Sequence, residues 1–180
     1  MTDVFLMGTA GSYNDPKRSM WREPIKAECA KIGVTCYDPV VPTWDEETGR
    51  LEVEALHKAR ILVMAITDET PGMASLAESG WAVASALLRK QAVGLFIDPA
   101  YQGERTTLST MMVRIDNLLN TNPSAESFAD TSRRARKLVI SHATSLLTQF
   151  PDTTLYMAKD LADLTRWTVA TAKKLIVPHR

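Results

Sequence analysis

The sequence is poor in the residues that announce a metal centre or a cross-linked scaffold: two cysteines, Cys29 and Cys36, and three histidines among 180 residues. They fall at no metal-ligand spacing, and two cysteines make no disulfide framework, so both read as small apolar residues on a helix and a strand. Net charge is missing too, because 21 Lys and Arg balance 21 Asp and Glu. That balance excludes the electrostatic footprint of a protein that binds a nucleic-acid polymer. The single basic cluster, Arg133, Arg134, Arg136 and Lys137, is short and reads as a solvated helix face. Apolar runs of the ~20 residues needed to cross a bilayer are absent, as is a basic stretch ahead of an apolar one at the N-terminus; the expectation is a cytosolic (cytoplasmic) protein with no membrane partner. What is present is a 45% hydrophobic content, enough to bury a proper core.

Apolar runs, turn signals and helical spacings alternate in a regular order. Val4–Gly8 reads as a buried strand, followed by a turn-rich stretch from Thr9 to Pro16. Trp21, Ile25, Cys29 and Ile32 recur at helical spacing, with Pro24 in the first turn and Gly33 placed to cap the end. Val34 to Tyr37 forms a second strand; the loop from Val40 to Arg50 carries Trp44, and a short helix runs from Leu51 to Ala59. Ile61–Ile66 is the third strand, a helix then runs to about Arg89, and Val93–Ile97 is the fourth strand. This order predicts an α/β fold: a small parallel sheet of four to five strands flanked by helices, flavodoxin- or Rossmann-like, over residues 1–100. Residues 101–180 are expected to be a helical extension packing on the same domain or forming an oligomer interface. Its apolar positions are Leu108, Met111, Met112, Ile115, Leu118 and Leu119 on one helix, Leu138, Val139, His142, Leu146 and Leu147 on another, and Met157, Leu161, Leu164 and Trp167 on a third. His142 reads as a hydrogen-bonded core residue and the two neighbouring methionines as packing.

The segment Gly72 to Ala82 follows the third strand and carries one carboxylate, Glu78, after a turn of small residues. In an open α/β sheet that turn lies at the carboxyl ends of the strands, where ligands bind, so Glu78 is expected to face a crevice. A carboxylate there can act as a nucleophile. The dipole of a helix start and an ordinary Glu pKa of about 4.3 keep it charged at neutral pH without tuning. The alternative is a first-turn acid that only helps the helix begin.

Four pieces in sequence, Phe5–Thr9, the Trp21-Arg22 pair, Asp38–Val41 with Trp44, and Ser75–Glu78, resemble the nucleoside 2-deoxyribosyltransferase family in its divergent branch. The resemblance spans about residues 1 to 100. It implies an enzyme without cofactor or metal that cleaves the N-glycosidic bond of a (deoxy)nucleoside through a covalent glycosyl ester and passes the sugar to another nucleobase. By position Glu78 would be the nucleophile and Glu52, with Glu54 as the alternate, the acid that protonates the departing base. Gly8 and Thr9, Ser12 and Tyr13 of the first loop, Trp21, Arg22, Asp38, Trp44, Met73 and Ser75 would surround the substrate. Two positions depart from the family pattern: Gly72 stands where an aspartate would hold the sugar 3′-hydroxyl, and Phe5 stands where a tyrosine would lie. Asp68 or Asp38 is then the candidate for the lost sugar contact, and a 5′-monophosphate, gripped by Arg22 or by amides near Thr9, is the alternative substrate. The rival readings are a (deoxy)nucleoside 5′-monophosphate N-glycosidase that uses water and a non-catalytic nucleotide-binding module. The partners expected are a nucleoside or nucleotide, a free nucleobase and further copies of the chain.

Overall fold

Residues on the strands alternate between two apolar faces, and this alternation builds three layers. The computed structural model describes residues 2–10, 20–99, 101 and 128–177. In chain order these form β1 (Val4–Gly8), α1 (Arg22–Lys31), β2 (Cys36–Tyr37), α2 (Glu46–Lys58), β3 (Ile61–Ile66), α3 (Met73–Leu88), β4 (Ala92–Ile97), α4 (Phe128–Gln149), β5 (Leu155–Met157) and α5 (Leu161–Leu175). The five strands lie in the order β2-β1-β3-β4-β5, all parallel. This is the flavodoxin-like order, which reverses direction between β1 and β3.

The central strand β3 is buried at all six positions, as expected for a parallel strand covered on both faces. Val4, Leu6, Ile61, Val63 and Ala65 pack against Trp21, Ile25 and Cys29 on one side and Leu164 and Ala172 of α5. Phe5, Leu62, Met64 and Ile66 face the other way, against Ala55 of α2, Leu76, Ala82 and Ala86 of α3 and Ala143 of α4.

Several sequence expectations need correction. Helix α2 begins at Glu46 rather than Leu51, because the Asp45 carboxylate accepts the Thr48 N–H at 2.7 Å and Glu46 and Glu47 complement the helix dipole. Among the described residues, the C-terminal part holds α4 and α5 and also a strand, β5, which pairs with β4 by setting Leu155 opposite Val93. Met157 therefore stands on a strand, not a helix; three residues are too few to display a period. His142 is exposed on α4 rather than part of the core, and both cysteines are free thiols. The helix expected around Met111 and Met112 lies outside the described residues. No described helix is long and apolar enough to cross a membrane.

The largest correction concerns the basic cluster on α4. Arg134 and Lys137 are exposed, but Arg136 is completely buried. Its Nη1 donates to the main-chain carbonyls of Asp98 (2.8 Å) and Ile66 (3.3 Å), its Nη2 to those of Thr67 and Thr70 (both 2.8 Å). A side chain that reads as a surface charge thus ties together the ends of β3 and β4.

On the opposite face α5 docks through Gly94, where a Cβ would stand 2.4 Å from the Trp167 ring and 3.0 Å from Leu164. Gly94→Ala is therefore expected to push α5 off the sheet and lower stability by about 1–3 kcal/mol, the usual cost of overpacking. Thermal or urea unfolding measures this, and a variant as stable as the parent would show that α5 gives way freely.

Candidate active site

The strand-order reversal between β1 and β3 opens a crevice at their carboxyl ends, and main-chain packing sets its floor. Gly8 has φ +129°, and a Cβ there would lie 1.9 Å from the Ala65 carbonyl oxygen, so only glycine permits this approach. Thr9 then stitches the two strands: its N–H and its hydroxyl both donate to the Ala65 carbonyl, and its Oγ1 accepts the Thr67 N–H at 2.7 Å. The Thr9 carbonyl accepts Trp21 Nε1 and Arg22 Nη1, each at 2.9 Å. Thr9 and Trp21 are thus buried supports beneath the crevice, not part of its wall.

Arg22 does reach the wall. Its side chain is 1% exposed, its Nη2 donates to the Gly8 carbonyl, and its Nε lies 3.3 Å from Asp38 without hydrogen-bond geometry. Burial lowers its pKa to about 10 against the opposing pull of Asp38 and Glu69, so it stays charged at neutral pH. Asp38 also pairs with Lys26 at 3.3 Å and accepts the Val40 N–H at 3.1 Å. It is occupied in holding the loop and does not line the crevice.

The crevice, about 320 Å3, is lined by Met7, Gly8 and Ala10 after β1, Arg22, Pro39–Val41 and Trp44, Glu52 of α2, and Ala74, Ser75 and Glu78 of α3. A second lobe of about 460 Å3 shares Met7, Glu52 and Glu78 and continues between α2 and α3 along Val53, Leu56, His57, Trp81, Ala82 and Ser85. The two acids stand where the lobes meet. A further cavity of about 400 Å3 lies on the far side of α3, against α4, and has no acid in its wall.

Glu78 lies six residues into α3, in its second turn rather than its first, where the helix dipole has faded. Its carboxyl is raised above the ordinary range by burial and then by the Glu52 charge, contrary to the untuned value expected from sequence. Glu52 is raised by burial too, against the pull of a hydrogen bond from Trp44. Trp44 is 65% exposed yet fixed in place, since its ring lies over Gly49, where a Cβ would come within 2.5 Å. Glu54 pairs with Arg50 and Lys58 and lines neither lobe, which leaves Glu52 as the acid near Glu78.

Gly72 caps α3 in the left-handed conformation (φ 63°), and a Cβ there would meet Ile66 at 3.0 Å and Arg136 at 3.4 Å. An aspartate there would be strained, with its Cβ tight against Ile66 in a left-handed turn. Asp68 is exposed on the same turn and lines neither lobe, Met73 packs half-buried on the core, and Ser12 and Tyr13 lie outside the described residues. Tyr37 escaped the sequence reading. Its ring stacks on Phe5 at 5.4 Å, and Glu52 helps to raise its pKa, so a phenol stands one strand over from Phe5. Strand alternation carries that signal, since Phe5 and Tyr37 share a register position. His57 and Trp81 offered no signal, because the second lobe forms only once α2 and α3 lie side by side.

Residues 1–96 match the family model described as nucleoside 2-deoxyribosyltransferase like. No curated protein and no solved structure matches the chain.

The raised carboxyls fix a sign for stability against pH. A carboxyl whose pKa is higher in the folded state holds more protons there than in the unfolded chain, so stability falls as pH rises from about 4.3 through the folded value. Glu52→Gln removes that loss. It is expected to melt higher than the parent at pH 7, with the gain vanishing below about pH 4. A lower melting temperature at pH 7 would mean that the Trp44 hydrogen bond outweighs burial.

Proposed function

Because this chain belongs to the nucleoside 2-deoxyribosyltransferase-like family, we propose that it cleaves the N-glycosidic bond of (deoxy)nucleosides through a covalent glycosyl ester on Glu78 and passes the sugar to a second nucleobase. The observation that carries this reading is the Glu52–Glu78 pair at the junction of two lobes, with mutual repulsion raising Glu78. Glu78, ionised, attacks the anomeric carbon; the C–N bond breaks, its electron pair stays on the base nitrogen, and Glu52 delivers the proton. A nitrogen of the second base then attacks the same carbon, the ester bond returns its electrons to Glu78, and the incoming base gives its proton back to Glu52. Ser75, buried in the wall three residues before Glu78, is a hydroxyl for the sugar, and the Trp44 ring is a face on which a base can stack.

A second reading, hydrolysis of (deoxy)nucleoside 5′-monophosphates in the same crevice, draws on two observations. Trp81 in the second lobe is 82% exposed, which opens the ester to water, and the Arg22 cation lies in the wall of the first lobe. Self-association belongs to the proposal as well. Trp81, Leu88, Leu51 and Val53 leave an exposed apolar surface on α2 and α3 beside the second lobe, and a second copy seated there would close it. Light scattering is expected to return more than the 19.9 kDa of one chain, and a fully active monomer would contradict this part.

Incubation with a panel of deoxynucleosides and their 5′-monophosphates, with and without free adenine, separates the readings by chromatography. Transfer yields a new nucleoside, hydrolysis yields base alone, and silence leaves a binding module. Glu78→Ala and Glu78→Gln are expected to fold normally and to lose several orders of magnitude in base release. Turnover at the parent rate in either would remove Glu78 from the mechanism.

A further inference from the structure

We infer that Arg136, which lies outside the segment matched by the family model, is a positioning residue for the reaction: it fixes the turn that launches α3 and so sets where Glu78 stands. The inference rests on the proposed role of Glu78, though its geometry does not. Between β3 and α3 the chain crosses Thr67 to Gly72 with no strand partner, so its carbonyls need donors from elsewhere. Arg136 supplies them. Its Nη2 donates to Thr67 and Thr70 and lies 3.5 Å from the Pro71 carbonyl, its Nη1 reaches Ile66 and Asp98, and its Nε donates to Ser132 at 3.2 Å. The Ser132 hydroxyl in turn donates to the Pro71 carbonyl at 2.6 Å.

The path to Glu78 is short. Gly72 follows Pro71 in a left-handed turn beside Arg136, and its carbonyl accepts the Leu76 N–H at 2.8 Å to open α3. Glu78 comes two residues after Leu76. A helix transmits a shift of its first turn as a rigid unit, so movement at Gly72 carries the exposed Glu78 carboxyl out of its place beside Glu52. Only a planar guanidinium presents five donors in a fixed fork; a lysine ammonium has three and no plane. An arginine on α4 is thus a specific requirement of the site rather than a generic buried charge.

The test compares Arg136→Met, Arg136→Lys and Ser132→Ala with Gly94→Ala, a variant destabilised far from this turn. In protein labelled with 13C-glutamate, the Glu78 carboxyl resonance is identified by its loss in Glu78→Gln and titrated. The expected result is a fall of the Glu78 midpoint toward the ordinary carboxylate value in Arg136→Met, with faster hydrogen exchange at Thr70 and Gly72. A smaller change is expected in Arg136→Lys and none in Gly94→Ala. In the assay kcat falls on the order of a hundredfold with KM little changed. An unchanged midpoint, or one that moves equally in Gly94→Ala, overturns the inference. If Arg136→Met does not fold, the lysine and Ser132 variants carry the same measurement. Absence of turnover in the parent chain would defeat the proposed reaction, and the titration would still decide whether Arg136 positions Glu78.

Discussion

The ends of β1, β3 and β4 stop inside the protein, and their carbonyls need hydrogen-bond donors beyond those that neighbouring main chain supplies, such as the Asp98 N–H on Ile66. Two buried guanidinium groups meet that requirement. Arg22 serves Gly8 and Thr9; Arg136 serves Ile66, Thr67, Thr70 and Asp98. A buried carbonyl without a partner costs about 1–3 kcal/mol, and for Thr67 and Thr70 the donor is Arg136. They come from opposite parts of the chain, one from the first helix and one from the second half, and they meet the same edge of the sheet.

With that edge fixed, Glu52 stands half-buried and Glu78 exposed where the two lobes of the cleft meet. Burial raises both carboxyls, and the Glu52 charge raises Glu78 further, which costs stability at neutral pH. Neighbouring groups limit the cost. Trp44 hydrogen-bonds Glu52, and the Arg22 cation lies in the same wall, itself balanced by Asp38. The substitution of an aspartate by Gly72 belongs to the same frame. Gly72 takes up a left-handed turn tight against Ile66, and it brings no carboxylate to this end of the cleft.

The periodic features were legible from the sequence. β1 and β3 fall on their expected residues, and α1, α3 and β4 end within a residue or so of them. The cleft could be read where chain order places it: Gly8, Arg22, Trp44, Glu52, Ser75 and Glu78 come together because parallel strands present their carboxyl ends on one edge. Less legible were short or non-local features. β5 is three residues long, the start of α2 depends on one cap, and Thr9, Trp21 and Asp38 look like ligand contacts but are spent on main-chain and ion-pair bonds.

Sequence alone determined the alternation of strand and helix, the parallel sheet and the place of Glu78 after the third strand, since each follows from local periodicity and from the rule that open sheets bind at strand ends, whereas Glu52 was singled out only through the family resemblance. Only the tertiary structure decided what each polar side chain does. Arg136 reads like its neighbours Arg133, Arg134 and Lys137, and the same charge becomes a solvated surface group or a buried clamp according to which face of α4 meets the sheet. The upward shift of Glu78 likewise depends on burial and on Glu52, 26 residues away, and that of Glu52 on burial, quantities that no local window contains.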